Sequence, residues 1–199
     1  MVLFWVRVIN KMKLIKLIIV TGLFLGAYSA QAANTRVHKN EQTSLLTYTS
    51  EGNGFSVELI QLLPDFVHAV YAKHNFPKSE IDRINTYCVF GSIIKNTSQQ
   101  QLSYKVSNWS YIDNNGNRQS VKTKTQWLQE WRKAGIKFSW TLLPDQGDFA
   151  VGDWQQGFTT IKMPRDSKFN LTYTWTLDGV AHSATLENLQ CAPLDIEQP

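Results

Sequence analysis

The chain is short of the residues on which most redox enzymes and metalloproteins are built. It has two cysteines, four histidines and three methionines in 199 residues. The cysteines, Cys88 and Cys191, are spaced for neither CxxC redox chemistry nor a zinc site. No serine sits in a G-x-S-x-G setting, so nucleophilic catalysis of the elbow type is unsupported. Long apolar runs are also missing: nothing after Ala33 approaches the ~20 residues that a membrane-crossing helix needs. The sequence shows no internal repeat, low-complexity tract or domain-sized linker.

What is present first is a leader. Lys11, Lys13 and Lys16 precede Leu17-Ile18-Ile19-Val20 through Leu23-Phe24-Leu25, and small residues end at Ala30-Gln31-Ala32. A positive segment, a short apolar segment and an A-x-A site in that order predict a signal peptide over residues 1–32, cut after Ala32. Thr21, Gly22 and Gly26 interrupt the apolar run, which argues against a retained anchor. Met12 begins an equally good leader, so the true start is Met1 or Met12. No cysteine follows the cleavage site to accept a lipid. The expected location is periplasmic or secreted.

Processing changes the charge. The precursor has 20 basic and 16 acidic residues, a formal net charge of +4. Arg7, Lys11, Lys13 and Lys16 leave with the leader and no acidic residue does, so the mature chain is balanced. A nucleic-acid partner, which a basic footprint would suggest, is therefore not expected. In an oxidising compartment Cys88 and Cys191 are expected to pair as a structural disulfide, against the alternative of separate thiols binding a soft metal.

Residues 33–43 are polar and aperiodic and read as a flexible arm. Residues 44–199 read as one domain, mainly β. Leu45–Tyr48 and Phe55–Leu59 flank Ser50-Glu51-Gly52-Asn53-Gly54, a hairpin pattern. Phe66, Val67, Val70 and Tyr71 then sit at helical spacing, and Ile81 with Ile84 marks a second short helix after Pro77. Cys88–Ile94 is a nearly continuous apolar strand. Leu102, Tyr104 and Val106 alternate, and Asp113-Asn114-Asn115-Gly116 is a turn. Thr123 or Thr125 caps a helix through Trp127, Leu128 and Trp131 that Gly135 closes. Ile136, Phe138, Trp140 and Leu142 alternate as a further strand, ended by Pro144. Phe169 to Leu177 alternate, Asp178-Gly179 turns the chain, and Val180, His182, Ala184 and Leu186 return. With residues 157–163 this gives seven or eight short strands. The pattern predicts an antiparallel Ig-like β-sandwich with short helical insertions and one disulfide.

The stretch Gly91-Ser92-Ile93-Ile94-Lys95-Asn96-Thr97-Ser98, followed by a strand and Tyr111-Ile112-Asp113-Asn114-Asn115-Gly116, resembles the opening of FxLYD-type domains. These are Ig-like domains of exported bacterial proteins. The helix around Trp127–Arg132 and the helical early third depart from that pattern, and no functional residue carries across. The resemblance implies an exported, Ig-like, non-enzymatic domain.

Candidate sites are few. His68, His74 and His182, with Met163 as a soft ligand, are the candidates for a copper-handling site. Six residues along one helix turn the direction by about 240°, so His68 and His74 would not share a face. Asp145, Asp148 and Asp153 lie among glycines but lack EF-hand spacing, and a solvated acidic loop is expected. Three sequons, at Asn96, Asn108 and Asn170, are taken as chance. No catalytic residue and no cofactor is expected. The remaining signal is charge: Arg118 to Lys137 holds six basic residues and one acidic one, Glu130. A basic helix presenting Trp127 and Trp131 beside Lys124, Arg132 and Lys133 suits a protein partner, or contact with an anionic membrane surface. The plainer alternative is that the tryptophans pack on the sandwich while the charges face water, since a lone helix must bury something. The function expected is an exported accessory or binding module, with copper handling as the alternative.

Overall fold

The computed structural model describes residues 33–196. The expected signal peptide lies outside the described residues. In chain order, β1 (Asn34–Lys39), β2 (Leu46–Gly52) and β3 (Phe55–Gln61) lead into α1 (Pro64–Lys73) and α2 (Lys78–Asn85). Next come β4 (Cys88–Asn96), β5 (Leu102–Lys105), β6 (Ser110–Ile112), β7 (Arg118–Ser120) and α3 (Lys124–Lys133). The chain ends with β8 (Gln146–Phe149), β9 (Trp154–Ile161), β10 (Lys168–Leu177) and β11 (Val180–Gln190).

The strands form two antiparallel sheets, as a β-sandwich requires. The first runs β1-β2-β3-β4-β9. In the second, β10 pairs with β11 on one side and with β6 and then β5 on the other, while β7 and β8 extend these outward. Two hairpins are built by left-handed pairs, Asn53-Gly54 and Asp178-Gly179, with φ of 45° and 75° and of 47° and 75°. Such turns match the twist of the strands they join.

The inner faces meet around Phe55, Leu59, Ile94, Trp109, Leu171 and Tyr173. Buried polar groups between the sheets are paired, as burial demands. Tyr173 donates its hydroxyl hydrogen to Ser50 Oγ at 2.8 Å. Gln61 accepts from Leu46 N and donates to Gln190 O, both at 2.7 Å, which staples the first sheet to β11. Cys88, at the start of β4, is disulfide-bonded to Cys191, just past β11, with Cα atoms 5.2 Å apart. The bond therefore joins the two sheets across 103 residues of sequence.

A second core lies on the other side of the first sheet. Val89 of β4 and Phe158 of β9 pack there against Val67 and Tyr71 of α1, Ile81 and Ile84 of α2, and Trp127 and Trp131 of α3. The helical insertions are thus one layer rather than separate decorations. Helix α3 begins with a full capping box: Thr123 Oγ1 accepts from Gln126 N, and Gln126 Oε1 accepts from Thr123 N at 2.8 Å. At the far end of α2, Lys162 and Arg165 donate to the carbonyls of Thr86 and Asn85. Cations at a helix C-terminus satisfy orphan carbonyls and the dipole together.

Four local expectations change. Residues 34–39 are a strand, not an arm: β1 pairs with β2 in register while every residue of it stays exposed. An edge strand wet on both faces needs no apolar alternation. Residues 136–140 are not a strand, because Ile136 and Phe138 feed the helical layer. Only from Thr141, at φ 61°, does the segment join β9: Phe158 N donates to Thr141 O, and Leu142 forms a parallel bridge with Phe158. Here Gly157 is required, since a Cβ would strike the backbone of Leu142 and Leu143. The strand expected through Val106 breaks into a 3-10 turn over Val106–Asn108. The acidic stretch around Asp148 is strand β8 rather than loop.

Candidate functional site

The residues chosen from sequence for partner contact fall in three different places. Trp127 and Trp131 are fully buried, so they belong to the core and not to a contact surface. Trp127 donates its Nε1 hydrogen to Thr160 Oγ1, and Trp131 meets Phe76 edge-on with ring centres 5.0 Å apart. The plainer reading of α3 is the one realised: its apolar stripe packs and its charges face outward. Arg132 is exposed, whereas Lys124 and Lys133 line two separate depressions on the surface.

The histidine and methionine candidates are not drawn together. His68 is exposed on α1, and His74, at its C-terminal end, lies on the ring of Phe138 with centres 4.6 Å apart. His182 stacks on Trp175 in the β10–β11 hairpin at 5.5 Å. Met163 is buried beside the disulfide, its carbonyl 3.4 Å from Cys88 Sγ. Among the described residues no three His, Cys, Asp or Glu side chains gather as a metal site would require. The acidic residues are occupied as structure. Asp145 accepts from Thr125 N at the start of α3, and Asp153 accepts from Ala150 N at 2.8 Å. Asn96, the first sequon residue, is fully buried.

Among the described residues two surface features bear on binding. The first is a groove of about 560 Å³ on the outer face of the first sheet, walled by Ile60, Ile93, Leu142, Phe158, Trp140 and Lys124. Strand β4 presents Gly91 at its floor. Trp140, two residues before the bridge to β9, is 74% exposed, and Trp154 at the start of β9 is 57% exposed. Trp154, Gln156 and Phe158 alternate onto this same face, so the groove and Trp154 are about 7 Å apart along the strand. A second apolar hollow, lined by Leu45, Ile60, Leu62, Leu63 and Phe66, shares Ile60 with the first. Phe66 is 51% exposed. Exposed aromatics set around one apolar strip are what interaction surfaces have and ordinary wet surfaces lack.

The second feature is a polar hollow of about 420 Å³ between α3 and the β6–β7 hairpin. It is lined by Tyr87, Lys122, Gln126, Gln129, Lys133 and Lys162, among others. Lys122 Nζ lies 3.7 Å from the centre of the Trp127 ring and donates to Glu130 at 2.6 Å. Sequence reasoning missed both features. The alternation of residues 136–142 places Trp140 in a strand, and nothing local marks Lys162, whose neighbours Thr86, Tyr87 and Lys122 follow α2 and precede α3, far away in the chain.

No family model and no curated protein matches the chain. Among solved structures, the crystal structure of the yjhA protein from Bacillus subtilis is similar over 50% of this chain and 73% of its own. The identity is 13% and the TM-score 0.32. A likeness of that size fixes neither family nor function.

Proposed function

We propose that the chain is an exported, non-enzymatic accessory module that holds a protein partner against the outer face of its first sheet. One observation carries this reading: Trp140 and Trp154 stand 74% and 57% exposed beside one apolar groove, while Trp109, Trp127, Trp131 and Trp175 are buried. An indole left in water forgoes much of the stabilisation its burial would bring, and tryptophan is a residue on which binding energy concentrates. Lys124 at the rim of the groove keeps one residue of the contact surface expected from sequence. The leader pattern and the inter-sheet disulfide support export into an oxidising compartment. An Ig-like kinship of the FxLYD type belongs to the same proposal.

The test places a photo-crosslinking amino acid at position 140, and separately at Val180, which is 59% exposed on the second sheet, in cells that export the protein. A discrete adduct from position 140, absent from position 180 and lost in Trp154→Ala at unchanged Tm, is the expected result. Equal adducts from both positions, or none from position 140, overturn the reading.

A further inference from the structure

The polar hollow beside α3 gathers more positive charge than it neutralises. Lys122, Lys133 and Lys162 line it with one carboxylate, Glu130, and behind Glu130 lie Arg83 and its second partner Glu80. Both carboxylates are already engaged: Arg83 pairs with each, and Lys122 shares Glu130. Lys133 and Lys162 have no carboxylate within ion-pair distance among the described residues. Lys162 is nonetheless held in place. Its Nζ donates to Thr86 Oγ1 at 2.5 Å and lies 4.6 Å from the centre of the Tyr87 ring. Lys122 Nζ lies 5.3 Å from the same ring. Two ammonium groups therefore flank one aromatic ring at the mouth of a cavity.

Two like charges over one ring repel, and an anion bound between them would offset that repulsion. Burial and the facing charge of Lys122 both hold the Lys162 ammonium below the ordinary lysine pKa. Further donors line the wall. The amide nitrogen of Gln126 is free of the capping box, which uses only its oxygen. The hydroxyls of Tyr87 and Ser120 take part in no hydrogen bond among the described residues. An ammonium offers three donors, and charge-assisted bonds to an oxyanion are the strongest this set can make.

We propose that this hollow binds a dianionic oxyanion, a phosphate group, between Lys122, Lys133 and Lys162. The site is independent of the Trp140 groove, and either can fail without the other. A phosphate of this kind is carried by a free small molecule or by a phosphomonoester lipid headgroup such as phosphatidate, and the same residues would hold both.

The test is a titration of the mature, oxidised protein at constant ionic strength, followed by amide chemical shifts, with inorganic phosphate and with glycerol 3-phosphate as probes. Saturable shifts confined to residues 86–87, 118–133 and 162 are expected. Lys133→Gln, at an exposed position outside both cores, should weaken the affinity about tenfold. Glu130→Gln removes the competing carboxylate and should tighten it, an effect that mere unfolding cannot produce. Lys39→Met, on the exposed β1, should change nothing. In a parallel arm the protein is sedimented with phosphatidate-containing vesicles, whose headgroup is a phosphomonoester. Vesicle binding that Lys133→Gln abolishes, without binding of free phosphate, assigns the group to a headgroup. Unsaturable shifts together with vesicle binding indifferent to Lys133→Gln and Glu130→Gln overturn the proposal.

Discussion

The indole Nε1 of Trp127 donates to the Thr160 hydroxyl at 2.9 Å, whereas Trp131, one turn further along α3 and just as buried, has an indole N–H with no acceptor among the described residues. The two rings lie 5.7 Å apart in the same core, so phenylalanine at either position removes similar volume. The hydrogen bond is the difference between them. Trp127→Phe strands the hydroxyl of Thr160, a residue only 2% exposed, and removes much of the ring under Lys122. Trp131→Phe instead removes an unpaired buried donor. Trp127→Phe should therefore cost about 1–3 kcal/mol more than Trp131→Phe. Urea unfolding of the two variants checks this, and equal losses would mean that packing alone sets both.

Asn96 is the polar hub of the far end of the sandwich. Its Nδ2 donates to Gln100 O at 2.7 Å and to Ala150 O at 3.0 Å, and its Oδ1 accepts from Ser98 N at 2.9 Å and from Ser98 Oγ at 2.7 Å. One fully buried side chain thereby ties the end of β4 to the turn that follows and to the end of β8. Asn96→Ala leaves several of these groups unpaired at once, each costing about 1–3 kcal/mol where water cannot replace the partner. A loss of at least about 2 kcal/mol in urea midpoint stability, with an unchanged m value, is expected. Ser98→Ala, which removes a single hydroxyl, should cost less than half as much. The same burial predicts that Asn96 stays unglycosylated in a host that modifies sequons, which site-resolved peptide mapping checks.

These two examples mark how far the sequence could be read. Both glycine hairpins were legible because left-handed turn residues lie between alternating runs, and that signal is local. The disulfide was legible because only two thiols exist. Helix α3 is legible from its local pattern too, although the sequence alone leaves its cap open between Thr123 and Thr125. What stayed hidden depends on partners far away in the chain. Ile136, Phe138 and Trp140 alternate like a strand, yet the first two pack with helices and the third faces water; alternation reports sidedness, not hydrogen-bonded neighbours. The strand β1 carries no apolar pattern because neither of its faces is covered. The Lys162 cluster draws on the segments that follow α2, precede α3 and follow β9, and no window of sequence contains it.

Glu130 offers the clearest pH dependence. Burial tends to raise its pKa, but the hydrogen bonds from Lys122 and Arg83, together with their charges, outweigh it and hold the carboxyl below the ordinary value of 4.5. A carboxylate whose folded pKa is depressed contributes stability that is present above its unfolded pKa and is lost as pH falls through the folded one. The contribution therefore belongs to neutral pH and disappears below about 4.5. Glu130→Gln keeps the shape and removes the charge. Its Tm should lie below that of the parent at pH 7, and the gap should close as both are acidified toward about pH 3. Because the group is partly exposed, salt should narrow the gap at neutral pH as well. A gap that stays constant from pH 7 down through the acid limb would show that the side chain acts through packing and not through its ion pairs with Lys122 and Arg83.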